Sequence, residues 1–321
     1  MPRIARCCAL IVLALLAAGP AAAEDYPSRP VRVMVGFAAG SGPDLQARTV
    51  SQALSRALGV SFHVENRLGA NGTNAARAVA IADADGTTLL FSSASIASTP
   101  FIYRQLGYDP LRDLTPVATV GLLDGLFVLV KAGSPIRSVA DLIAQAKKDR
   151  VLYGSPGVGN GLHLATELFA QRAGITLQHI PYKGASEVMT ALLSGSIDVM
   201  FVTPPSVIGL IKDGTVRPIA FTGDRPFPEF PGAPLMKETL PGYEPDLSWG
   251  MFFAPGKTPA TIIDKLNAVI HAAILEGDVA RIMQRDGYFP DTRNAAETAK
   301  FFREQVERTG AMVKAAKIEP N

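Results

Sequence analysis

Past residue 23 this chain contains no cysteine; Cys7 and Cys8 are the two in the sequence. A mature form without them excludes disulfides, thiolate metal sites and a cysteine nucleophile. Excess charge is missing as well. Of 31 Lys and Arg, Arg3 and Arg6 precede residue 23, which leaves 29 against 29 Asp and Glu. A formally neutral chain is not built for nucleic acid or for an anionic membrane surface. No run of 18 apolar residues follows residue 23, so no later anchor is expected. His63, His163, His179 and His271 are scattered, and neither H-E-x-x-H nor G-x-S-x-G occurs. No metal site, no cofactor and no catalytic residue are therefore expected.

What is present begins with an export signal over residues 1–23. Arg3 and Arg6 form a basic start, "CCALIVLALLAAG" a short apolar core, and "PAAA" the small residues of a cleavage site near Ala23. The product is expected in the periplasm. About 300 residues without disulfides must rely on an apolar core, and that length supplies one.

Apolar β-rich runs then alternate with helical patterns. Strands are expected at Val31–Phe37, Ser61–Val64, Thr88–Phe91, Leu126–Val130, Val151–Tyr153, Gln178–Pro181, Ile197–Val202, Pro218–Thr222 and Gly250–Ala254. Helices are expected at Asp44–Leu58, Ser138–Lys148, Leu162–Ala173, Ser186–Ser194, Thr258–Glu276 and Asn294–Lys317. "SVAD" and "NAAE" read as capping boxes, "TP" as an N-cap with Pro at the first helical position, and Gly174 and Gly195 as stops. Alternating β and α over this length predicts an α/β protein with mostly parallel sheets in two domains.

In open α/β sheets, ligands sit beyond the carboxyl ends of the strands, where helix starts offer free N–H groups. Four strand-to-helix junctions are rich in small residues: "FAAGSGPD" (37–44), "SSASIASTP" (92–100), "GSPGVGNGLH" (154–163) and "FVTPPS" (201–206). None carries Lys or Arg, so none is a phosphate loop ending in GK[ST]. Neutral donors at helix starts suit a carboxylate. The competing reading is that Gly and Ser only make turns and caps. Two such loops about 115 residues apart in one exported chain favour binding. His163 reads as a buried or capping residue, and "ADADGTT" as a turn before a strand rather than a calcium loop. Glu65, Asp85, Glu167 and Asp198 show no spacing that brings two together.

Segments along the whole mature chain carry a resemblance. They include "YPSRPVRVMVGF", "VENRLGANGTNAARAVAIADADGTTLL", "LGYDPLRDLTPVATV", "YGSPGVGNGLHLATELF", "IPYKGASEVMTALLSGSIDVMF", "IKDGTVRPIAFTGDRP" and "LPGYEPDLSWGMFFAPGKTP". In this order they resemble the Bug-type solute-binding receptors of tripartite tricarboxylate transporters. The resemblance implies a type II periplasmic-binding-protein fold: two α/β lobes around a ligand cleft, crossed twice by the chain, near Leu123–Leu126 and Glu244–Gly250. Lobe 1 would be 24–124 plus 248–321, and lobe 2 125–247. It implies a monomer that takes a small carboxylate (dicarboxylate, tricarboxylate, acidic amino acid or aromatic acid) and serves membrane permease subunits, without a cofactor.

Residue by residue, the family's first loop reads F-P-A-G-G-x-x-D. Here Ala38 stands for the Pro and Ser41 for the second Gly, within Ala38, Ala39, Gly40, Ser41, Gly42 and Asp44. Asp44 is expected either to favour the helix dipole or to hold a ligand amine or water. Ser93 and Ser95 belong to the second loop, and Ser155, Gly157, Gly159, Asn160 and His163 to the third. Val202 replaces a polar residue, leaving Thr203 beside it. "VENR" and "PYKG" read as structural. The alternatives are a receptor that feeds a sensor kinase or scavenges, and a periplasmic hydrolase using Ser155.

Overall fold

The computed structural model describes residues 26–320, apart from 244–246, 276, 286 and 316–317. The expected signal segment and part of the second crossing lie outside the described residues. In chain order the elements are β1 (Val31–Val35), α1 (Gly42–Leu58), β2 (Phe62–Asn66), α2 (Thr73–Ala80), β3 (Thr88–Ser93), α3 (Thr99–Ile102), β4 (Leu114–Asp124) and β5 (Phe127–Lys131). Next come α4 (Val139–Lys148), β6 (Leu152–Ser155), α5 (Gly161–Ala173), β7 (Gln178–Pro181), α6 (Ala185–Ser194), β8 (Val199–Val202), α7 (Ile208–Lys212) and β9 (Val216–Phe221). Last are α8 (Met236–Thr239), β10 (Leu247–Pro255), α9 (Ala260–Leu275), α10 (Gly277–Arg285), β11 (Tyr288–Phe289) and α11 (Ala295–Ala315).

The strands form two sheets, ordered β11-β4-β10-β3-β1-β2 and β7-β6-β8-β5-β9. Side-chain alternation fills both faces of the first. Val31, Val33 and Val35 meet Ala47, Val50 and Leu54 of α1 and Leu266 and Ile270 of α9. Met34, Leu90 and Phe253 meet Ala76 and Val79 of α2 and Phe302 of α11 on the other side. In the second sheet, Val128, Tyr153 and Phe201 bury against Phe169 of α5, while Leu129, Met200 and Val202 bury against Val188 and Leu192 of α6. Each such side chain contributes on the order of 1.5–3 kcal/mol of transfer free energy. A strand buried on both faces reads as a continuous apolar run, as β3 and β8 do, whereas the edge strands β2 and β7 are partly polar and partly exposed.

The sheets are mixed, not mostly parallel as expected. Pairs β1–β2, β1–β3, β6–β7 and β6–β8 are parallel, whereas β10 runs against β3 and β4, and β5 runs against β8 and β9. The reversal follows from the chain's path. It leaves the first sheet at the end of β4 and returns as β10 at the same place, with Leu247 opposite Asp124. A returning strand that starts where its neighbour ends must run antiparallel to it. β4 itself escaped the sequence reading because Pro116 interrupts it; a register shift between Phe252 and Phe253 accommodates that residue opposite Phe253.

Local signals mostly formed as read. Asn294 Oδ1 accepts the Glu297 amide at 3.0 Å, and Glu297 Oε2 accepts the Asn294 amide at 2.9 Å, a complete capping box. Ser138 Oγ accepts the Asp141 amide at 3.1 Å. Gly174 and Gly195 close α5 and α6 with φ of 63° and 81°, the left-handed conformation that a side chain resists. Thr258 is an exception. Its hydroxyl is buried without a partner among the described residues, and α9 begins two residues later, so it does not cap.

Candidate binding site

The strand ends of both sheets face one another across a cavity of about 600 Å³. At its first-lobe wall β1 ends and the chain turns through residues 36–42 into α1. A side chain at Gly36 would meet Gly72 Cα at 2.3 Å, so only glycine lets this turn lie against the loop after β2. The turn is tied down by Asp44, which is buried at 1% exposure. Its carboxylate accepts from the Gly40 amide at 2.8 Å, Arg48 Nε at 2.9 Å and Asn66 Nδ2 at 2.7 Å. Asn66 also donates to Phe37 O at 2.9 Å and accepts from Arg48 Nη2 at 2.8 Å. Burial alone raises the Asp44 pKa; the hydrogen bonds from Arg48, Asn66 and Gly40 more than reverse that and hold it below the usual value.

This network changes the role expected of the loop. Gly40 N–H is taken by Asp44, and Ser41 N–H by Ala38 O at 3.1 Å. Ser41 Oγ donates to the same carbonyl at 2.6 Å. Ala39, Gly40 and Asp44 do not line the cavity; Ala38, Ser41 and Gly42 do. Ala38 and Gly42 keep N–H groups with no acceptor among the described residues. Asp44, with its oxygens occupied by three protein donors, holds the loop rather than a ligand amine.

At the second-lobe wall, β6 ends and residues 156–160 lead into α5. Asn160 caps the helix, accepting the Leu162 amide at 2.9 Å, and its Nδ2 crosses the cleft to Asn71 Oδ1 and Ser95 Oγ, each at 3.1 Å. Ser98 Oγ lies 2.6 Å from Gly159 O, a second polar link between the lobes. Gly159 has φ of 70°, and a Cβ there would fall 2.5 Å from Ile102 of α3. Ile102, Leu164 and Val313 bury together, joining α3, α5 and α11. Gly157, Val158, Asn160 and Gly161 line the cavity, as do Ser93, Ser95 and Thr203.

Behind this loop sits a stack of rings. The His163 and His179 rings lie 3.9 Å apart at 13°, and His179 stacks on Tyr153 at 4.9 Å. His163 Nδ1 accepts the Gly159 amide at 2.9 Å, which places its proton on Nε2, facing Glu167 Oε1 at 3.9 Å. Tyr153 donates its hydroxyl to the same Glu167. Burial pushes His163 down to about 3, helped by the neighbouring His179, and His179 down to about 4. Both are neutral near pH 7. Sequence spacing gave no sign of this cluster, because the fold pairs residues 16 positions apart on a helix and a neighbouring strand.

Ser155 and His179 have the look of a nucleophile and base, with Oγ 2.7 Å from Nε2. The surroundings argue otherwise. Ser155 is fully buried and does not line the cavity, and its hydroxyl donates to Gly157 O at 3.0 Å. With that proton committed, the hydroxyl accepts from His179 Nε2–H and stiffens the Gly157 turn. Gly159 and His163 also stand behind the wall rather than in it.

The sequence reading missed one junction entirely. Residues 69–72, between β2 and α2, hold φ values of 118°, 47°, 57° and 88° in succession, two of them at Ala70 and Asn71. Left-handed non-glycine residues store strain and gather at functional sites. Leu68, Gly69, Ala70 and Asn71 all line the cavity. "GANG" after a strand carried the signal: Gly and Asn are the residues that tolerate this conformation. Trp249 of β10 and Gln305, Arg308, Thr309 and Met312 of α11 also line it. Their spacing is one helical face, indistinguishable in sequence from solvent-facing polar residues.

Among the described lining residues there is no Asp or Glu, and the cations are Lys183 and Arg308. Among the described residues no group of three or more His, Cys, Asp or Glu could hold a metal, and no helix is long and apolar enough to cross a membrane. The chemistry available is therefore hydrogen-bond donation to an anion or a neutral acceptor inside an otherwise apolar chamber.

Comparisons with known proteins agree with that chemistry. Residues 46–318 match the family described as the tripartite tricarboxylate transporter family receptor. A UPF0065 protein of Bordetella bronchiseptica is 34% identical over 96% of this chain and 92% of its own length. An R. palustris protein solved with adipate superposes with a TM-score of 0.87 at 32% identity, covering 92% of this chain and all of its own. The periplasmic binding protein BugD gives 0.85 at 28% identity, covering 92% of this chain and all of its own. The two-lobed fold, the cleft at the strand ends and these matches make the chain a solute-binding receptor rather than an enzyme: it belongs to the receptor family of the tripartite tricarboxylate transporters.

Proposed function

We propose that this protein captures a small carboxylate in the interlobe cavity and delivers it to the membrane permease subunits of a tripartite tricarboxylate transporter. One observation carries the reading. The cavity is walled by unpaired amides at Ala38, Gly42, Val158 and Gly161, by the hydroxyls of Ser93 and Thr203, and by no acidic side chain among the described residues. Amides at helix starts bind a carboxylate without a formal cation. The adipate bound to the similar R. palustris protein supports the same class.

Residues 1–23 are removed on export, and the periplasm is where the receptor works. Lobe 1 comprises 24–124 plus 248–321 and lobe 2 comprises 125–247. Binding bridges the lobes and favours the closed form that the permease recognises. Micromolar affinity corresponds to roughly 8 kcal/mol of net interaction.

A thermal-shift screen of carboxylates, with neutral sugars as controls, tests the reading. A ligand at 100 times its Kd stabilises by about 2.7 kcal/mol. Melting should rise with at least one carboxylate and with no sugar. Stabilisation by sugars alone would sink the proposal.

A further inference from the structure

The donors above account for one end of a ligand. They leave most of the chamber unexplained. Its volume of about 600 Å³ equals the liquid volume of about twenty waters, far more than a four-carbon diacid needs. Part of its wall is apolar: Val202, which stands where the family resemblance expects a polar residue, together with Leu126, Leu162, Trp249 and Met312. Leu68 is the most telling. It lines the chamber at 56% exposure, on the loop whose next four residues are all left-handed. A strained backbone that presents a bare leucine to a cavity has the form of a contact awaiting a partner. Beside it, Asn71 also lines the chamber, its Oδ1 held by Asn160 Nδ2 at 3.1 Å.

We infer that the ligand is a carboxylic acid with an apolar body longer than four carbons, chain or ring, its body against Leu68 and Val202. This rests on the carboxylate reading above and narrows it. Short hydroxy-acids and compact polyacids leave the leucine wall wet. Longer acids dehydrate it, and each buried methylene is worth about 0.8 kcal/mol, close to fourfold in affinity.

The test is titration calorimetry on the purified chain with succinate, citrate, adipate, suberate, octanoate and phenylacetate, read in parallel by the fluorescence of Trp249, the single tryptophan. Affinity should climb about threefold to fourfold per added methylene from succinate to suberate, with phenylacetate above succinate. Affinity that stays flat or falls with length, while succinate or citrate binds tightly, overturns the apolar-body inference and leaves the carboxylate reading standing. If none of the acids binds, both fall. Leu68→Ser changes an exposed side chain, so the fold tolerates it. It should cost suberate at least fivefold more affinity than it costs succinate; equal losses for both acids count against the inference.

Discussion

At the end of β1 the turn into α1 is tied by charge: Asp44, Arg48 and Asn66 hold the Gly40 amide and the Phe37 carbonyl. At the end of β6 the turn into α5 is tied by neutral groups: Ser155, His163 and the stacked His179 hold Gly157 and Gly159. Both arrangements fix amides at a helix start, and both keep their anchoring side chains out of the cavity wall. They differ in what surrounds them. Arg48 is 42% exposed, so water solvates part of its charge, whereas the His163 side chain is 7% exposed, where an uncompensated charge is expensive. They differ too in contacts. The second loop touches the opposite lobe through Gly159 and Asn160, while Gly40 of the first meets nothing within 4 Å of a Cβ position. At Gly40 the first loop is thus an anchored edge, with Gly42 only in ordinary contact range of Thr203 across the cleft, and the second loop is both anchor and close interlobe contact.

The sharpest way to break that contrast is to place the same methyl group in both loops. Gly159→Ala puts a Cβ 2.5 Å from Ile102 at φ of 70°. Ligand affinity should fall at least tenfold, about 1.4 kcal/mol, because the lobes no longer approach. Gly40→Ala faces open space at φ of 79° and does not line the cavity, so it should cost about 1 kcal/mol of stability and leave affinity unchanged. Adding Ile102→Ala to Gly159→Ala should recover part of the binding. Equal affinity losses at the two glycines, or no recovery, would remove the distinction between edge and contact.

On stability rather than affinity, the two anchors should titrate differently. Asp44→Asn keeps the shape and removes the charge that Arg48 and two further donors serve; stability should drop by about 2 kcal/mol at pH 7, below the usual range for a buried pair because Arg48 is partly solvated. Asp44 is held below its ordinary pKa, so its contribution is present above the unfolded value and is lost as pH falls through the folded one. Denaturant melts of the variant should therefore lose part of the acid limb below about pH 4. If the variant matches the parent in stability at pH 7, the charged anchor is not what holds the first turn.

The neutral anchor responds in a higher window. His163 and His179 titrate at about 3 and about 4 folded and near 6.5 unfolded. Their contribution is complete above pH 6.5 and is lost as pH falls, because the unfolded chain takes up protons that the folded stack refuses. Between pH 6.5 and 5 the loss is at most about 2 kcal/mol for each histidine. His163→Gln should flatten that part of the stability curve. A parent curve already flat between pH 7 and 5 would show that the stack is solvated and protonates in place.

How far these two loops were legible in the sequence follows the same division. Features that depend on near neighbours in the chain were readable: the buried strands Val31–Val35 and Val199–Val202, the "NAAE" box, the stops at Gly174 and Gly195, and the small-residue junctions themselves. Features made by distant residues were not. Asn66 and Asp44 meet from 22 positions apart, Ser155 and His179 from 24, and Asn160 and Asn71 from 89. Each pairing is a property of sheet order, which periodicity does not encode. Strand direction differs from the mostly parallel expectation because alternating β and α implies parallel neighbours only while the chain stays in one sheet, and here β10 returns beside β4 from another. Within the first loop, composition shows where amides lie but not which of them the loop's own acceptors consume.

That last point bears on Ser41, where the family resemblance expects glycine, and it gives the smallest effect of the set. A hydroxyl at the mouth of an anion site invites assignment as a ligand donor. In the structure it already donates to Ala38 O at 2.6 Å, three residues back, in an exposed turn. The same carbonyl accepts the Ser41 amide at 3.1 Å, so the backbone bond remains when the hydroxyl is removed. Ser41→Ala should then shift stability by less than about 0.5 kcal/mol and carboxylate affinity by less than about threefold, under 0.7 kcal/mol. A loss of tenfold or more, with stability unchanged, would mean that the hydroxyl leaves Ala38 for the ligand. The first loop would then be a direct contact like the second, and the division between anchored edge and interlobe contact would fall.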